Sequence, residues 1–131
     1  MTTKKDIESL DDIKFLVDTF YGKVQKDPLI GPIFERVVDG HWDTHLDKMY
    51  RFWQTILLDK VAYSGSPFLA HAPLPIHKEH FQAWLILWKE TLNEHYEGQK
   101  ATDALWRAER MAEMFEYKLD YMRNNNTKPL I

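Results

Sequence analysis

The sequence predicts a single all-α domain, and three observations support that expectation. Apolar residues recur at helical spacing through four long segments, proline and glycine gather between those segments, and no run alternates apolar with polar residues as a half-buried strand would. With 131 residues, 44% of them hydrophobic and 28% charged, the chain has the balance of an ordinary globular protein. A chain of this length buries roughly two thirds of its unfolded surface, enough for one core and one internal cavity but not for two domains.

In the first segment Ile13, Leu16, Val17, Phe20, Tyr21 and Val24 fall on one helical stripe. Ser9 followed by Asp12 has the spacing of a capping box, and Pro28 obliges the helix to stop before it. Gly31-Pro32 comes soon after Asp27-Pro28, so 29–34 is expected as a short turn of helix that sets Ile30, Ile33 and Phe34 against the core. A second stripe of Trp42, His45, Met49, Phe52, Trp53, Ile56 and Leu57 defines a helix over 42–58, with His45 inside its apolar face. Ser66 suits a cap and Pro67 a first helical position, so a short helix is expected there, ended after His71 by Pro73 and Pro75. The most aromatic helix, over 77–95, aligns Phe81, Trp84, Leu85, Trp88 and Leu92, and Gly98 breaks it. The last, over 100–123, carries Ala104, Ala108, Met111, Ala112, Phe115, Leu119 and Met122 on its apolar side. Residues 1–9 and 124–131 are expected to be loose ends.

Charge and composition remove several functions. A formal charge of -3 without a basic stripe lacks the electrostatic footprint of a nucleic-acid binder. The first nine residues are polar and carry no apolar core, and the apolar run over 81–88 is interrupted by Gln82 and too short to cross a bilayer. A cytoplasmic protein with no membrane partner is expected. The absence of cysteine removes iron–sulfur clusters, thiol nucleophiles, disulfides and covalent attachment of haem.

Six histidines raise the question of a metal. His41 and His45 stand at i, i+4, and His77 and His80 at i, i+3, but a di-iron bundle needs Glu-x-x-His on two helices and a zincin needs HExxH. Neither occurs, and each pair reads first as a solvated helix face. Aromatic residues at 14% exceed what packing a bundle this small requires, which favours a flat apolar guest. A b-type haem needs a neutral imidazole, an apolar slot and cations near its carboxylates. His71, fixed between a short helix and two prolines, suits the first need, although spacing alone makes an exposed loop histidine the commoner reading.

The ordered series Phe20-Tyr21, Ile30-Gly31-Pro32-Ile33-Phe34, Trp42-x-x-His45-x-x-Lys48, Phe52-Trp53, Tyr63-x-Gly65-x-Pro67, His71-x-x-Leu74-Pro75 and Phe81-x-x-Trp84-Leu85 resembles the third group of truncated globins. The likeness extends from about Ile13 to Phe115, and it is most specific around His71 and at the Phe81 and Trp84 pair. Only isolated Gly22 and Gly31 stand where the other two truncated groups carry paired glycines. The resemblance implies a two-over-two helical sandwich around haem b, iron protoporphyrin IX. It makes His71 the proximal iron ligand and places Tyr21, His45 and Trp84 over the distal face, where their donors meet the partial negative charge of a bound gas. It sets Lys48 toward a haem propionate and makes Phe20, Phe34, Met49, Phe52, Trp53, Phe81 and Trp88 candidate haem-facing walls. The register after His71 leaves His77 and His80 as rival ligands, His80 the stronger.

Three functions follow from this resemblance and these residues. The first is a haem protein that binds O2, NO or CO in a polar distal pocket for oxygen, nitric oxide or peroxide chemistry or detoxification, of a nitric oxide dioxygenase-like or peroxidase-like kind. It would draw on a reductase that the sequence does not identify. The second is a non-enzymatic oxygen carrier or gas sensor, and the third a haem-free helical interaction module. The chain is expected as a monomer or weak oligomer.

Overall fold

A computed structural model describes residues 4–58 and 76–125. It contains five α-helices among the described residues: α1 (Leu10–Lys26), α2 (Gly31–Val38), α3 (Trp42–Leu58), α4 (Lys78–His95) and α5 (Gln99–Asn125). The expected helix over 67–71, and His71 with it, lies outside the described residues.

The local chemistry of each start and stop is visible. Ser9 Oγ accepts from the Asp12 backbone N–H while the Asp12 carboxylate accepts from the backbone N–H groups of Ser9 and Glu8, so the capping box forms and α1 begins there. The Asp27 carboxylate then accepts from the N–H groups of Leu29 and Ile30 at 2.9 and 3.0 Å, folding the chain back on itself. The helix after this turn runs further than the sequence indicated, from Gly31 to Val38, with Pro32 in its first turn. Gly31 is required there for closeness: a Cβ would stand 2.9 Å from the Val24 carbonyl oxygen.

Helices α1 and α3 pack side by side, as do α4 and α5. Across the two pairs, α1 lies on α4 and α3 on α5, while α2 leans on α1. That closed circuit of contacts is a two-over-two sandwich. The seam is aromatic. Trp88 stacks on Trp53 with ring centroids 4.6 Å apart, meets the edge of Phe20 at 5.0 Å, and donates its indole N–H to the Ala104 carbonyl at 3.2 Å. No helix among the described residues is long and apolar enough to cross a membrane.

The segment before α1, expected as a loose end, is tied into the fold. Ile7 is fully buried, the Lys5 carbonyl accepts from the Glu97 N–H, and the Asp6 carboxylate accepts from the N–H groups of Lys100 and Ala101 at 3.0 and 2.9 Å. The polar composition that suggested a free terminus instead satisfies the orphan donors of the α5 N-terminus.

Candidate haem cavity

All five helices contribute to an apolar cavity of about 190 Å³. A close-packed interior leaves few voids larger than one water, whose share of liquid is ~30 Å³, so this space is built rather than accidental. One wall is polar. Tyr21 on α1 and His45 on α3 face each other across it with ring centroids 5.0 Å apart and planes at 86°. Phe34 on α2 and Trp42 on α3 close round the same pair, each 5.7 to 6.2 Å from a member of it. The contact is possible because Tyr21 lies on the buried stripe of α1 and His45 on the apolar face of α3, two helices that pack together.

Tyr21 is buried, 6% exposed, and among the described residues its hydroxyl makes no hydrogen bond. Burial pushes that hydroxyl's pKa well above the ordinary tyrosine range, so it stays a protonated donor at any physiological pH. Trp84, half-buried on α4, lines the same cavity and meets Phe20 edge-on at 5.7 Å.

Of the residues singled out from sequence, Tyr21, His45, Trp84, Phe34, Met49, Phe52 and Phe81 line the cavity. Phe20, Trp53 and Trp88, expected as haem-facing walls, stand apart from it. They fill the seam between the helix pairs, where Trp88 stacks on Trp53 and meets Phe20 edge-on. Lys48 is exposed on α3, one turn beyond His45 and off the lining. His80, the rival ligand, lines the cavity.

Sequence reasoning left out two walls. Ile33 and Val37 of α2 form one, and Met111, Ala112 and Phe115 of α5 form the other. Their helical spacing was plain, but a stripe that faces a cavity has the same period as one that faces a helix.

The lining formed by the described residues suits a haem. A flat apolar guest finds aromatic and aliphatic walls, a polar pair converges on one side, and no cysteine is present for covalent attachment.

Comparison with known proteins agrees. The Bacterial-like globin family model matches residues 6–117. A group 3 truncated hemoglobin of Campylobacter jejuni is 36% identical over 113 residues, covering 83% of this chain and 89% of that protein. The crystal structure of a group III truncated hemoglobin from Campylobacter jejuni superposes with a TM-score of 0.82 at 35% identity, covering 89% of this chain and 95% of the other.

Proposed function

The chain belongs to the bacterial-like globin family, and from that premise we propose that it holds haem b in this cavity and binds O2 and other diatomic gases there for redox chemistry on oxygen, nitric oxide or peroxide. The observation that carries the reading is the hydroxyl of buried Tyr21 beside His45 in a largely apolar cavity. A polarised guest in the cavity would give that hydroxyl a hydrogen-bond acceptor.

Haem, when bound, supplies an iron with one open position for a diatomic gas. The chain does the rest. His71 would ligate the iron, and Phe34, Met49, Phe52 and Phe81 would wall the macrocycle and exclude water. Tyr21 O–H, a His45 ring N–H and the Trp84 indole N–H donate to a ligand that gathers negative charge. Three donors at one ligand slow its release, which favours chemistry over carriage. Such chemistry would need an external electron donor, for which a cytoplasmic reductase is the expected source.

The absorption spectrum of the purified protein tests the cofactor. The ligand is tested by His71→Gly, which is expected to lose or greatly weaken haem binding and to recover it with added imidazole. Full haem and an unchanged five-coordinate ferrous spectrum in that variant would remove His71 from the role. Rapid O2 release with no turnover of nitric oxide or peroxide would make the protein a carrier.

A further inference from the structure

His80 is a polar group of the cavity lining that the distal cluster does not use. It lies on α4 one turn before Trp84, half-buried, in ring contact with the exposed His77 at 6.0 Å. Its two nitrogens are not equivalent. His80 Nδ1 accepts from the His77 backbone N–H at 2.8 Å, and in a neutral imidazole the proton then resides on Nε2. This tautomer is the wrong one for an iron ligand bound through Nε2, which needs the proton on Nδ1 and a partner that accepts it. Moving the proton to Nδ1 would set N–H against N–H and remove the side-chain cap of α4. With that hydrogen bond in place, His80 presents a donor at Nε2.

The surrounding corner is cationic and opens to solvent. Arg123 near the end of α5 donates to the Ile76 carbonyl at 2.7 Å and lies 3.2 Å from His77 Nδ1. Ile76 itself lines the cavity. A guest with an apolar disc and carboxylates on its rim must keep those carboxylates at such an edge, because a buried unpaired carboxylate is prohibitively costly.

Resting on the haem reading above, we propose that His80 Nε2–H donates to one of the two carboxylates of the haem, and so fixes which edge of the macrocycle faces the α4–α5 corner. His80 is then a cofactor-binding residue. Its identity is set by the need for one ring that accepts from the backbone on one side and donates to an anion on the other.

Haem and its dimethyl ester, in which both carboxylates are blocked, separate this role from a structural one. Apoprotein of the wild type, His80→Phe and His80→Gln is titrated with each in matched dilute detergent, following absorbance. Wild type is expected to prefer the free acid. His80→Phe reduces that preference by about tenfold, the size of one charge-assisted hydrogen bond. His80→Gln, which keeps an acceptor for His77 and a donor for the carboxylate, retains most of it. An unchanged preference in His80→Phe, or equal weakening of acid and ester, overturns the proposal, the second by showing His80 to be only a helix cap. Loss of the axial imidazole signature in His80→Phe, with its retention in His71→Ala, overturns it too by making His80 the ligand. A wild-type apoprotein that binds neither compound overturns the haem reading itself, a result distinct from the others.

Discussion

Tyr21 shows how one side chain joins stability to function. Its ring belongs to the α1 stripe and packs edge-on to Phe20 at 4.9 Å and to Phe34 at 5.7 Å, while its hydroxyl contributes nothing to that packing. Tyr21→Phe is therefore expected to leave the fold intact and to act on the bound gas alone. Loss of one donor costs on the order of 1–2 kcal/mol, roughly tenfold in O2 release rate. Carbon monoxide, much less polarised when bound, serves as the control in the same stopped-flow experiment and is expected to change less. Equal effects on both gases would point to pocket shape in place of hydrogen bonding. The chemistry of Tyr21, His45 and Trp84 was readable from residue type and resemblance. Their grouping was implied by the resemblance alone, because no spacing along the chain encodes a contact between α1 and α3.

Helix ends are where short sequence motifs have their firmest physical meaning. The Ser9 and Asp12 box and the break at Gly98 were both legible, since each rests on bonds made within a few residues. The role of Asp6 was hidden, because its partners lie more than ninety positions away at the start of α5. Burial raises the pKa of the Asp6 carboxyl, but the backbone donors of Lys100, Ile7 and Ala101 and the charge of Lys100 together outweigh it and hold the pKa below the ordinary 3.8. Asp12 is likewise lowered against its desolvation by Lys5 and by the N–H groups of Glu8 and Ser9. A pKa depressed in the folded state stabilises above the unfolded value and loses that contribution as pH falls through the folded one. The stability of the wild type is thus expected to decline below about pH 3.8, and Asp6→Asn to show a shallower acid limb in denaturant titrations from pH 6 to 2. Gly98 is needed at the same junction. Its φ is +134°, and a Cβ would approach the Asp6 carboxyl carbon to 2.6 Å. Gly98→Ala is expected to cost about 1–3 kcal/mol, and an unchanged urea midpoint would show that the N-terminal segment can detach without penalty.

At the scale of the whole molecule, the sandwich is held by the indole stack in its seam and opened by the cavity beside it. The two have opposite energetic signs, since packed rings stabilise and empty lining forfeits contacts. Cofactor and fold are then linked by mass action. Free haem at a thousandfold excess over its Kd adds about 4 kcal/mol, so removing haem is expected to lower the thermal midpoint by on the order of 10 °C. Calorimetry of apo and holo protein measures this, and coincident midpoints would exclude the cavity as the haem site. The sequence by itself determined the long helices, most of their starts and stops, which side of each shuns water, and the chemical types able to serve a haem. Only the tertiary structure decided that Phe20, Trp53 and Trp88 meet one another while Ile33, Val37, Met111 and Phe115 meet a cavity, and that Lys4 to Ser9 closes over α5. The reason is that hydrophobic periodicity records the avoidance of water, and a neighbouring helix and an enclosed cavity satisfy it equally well.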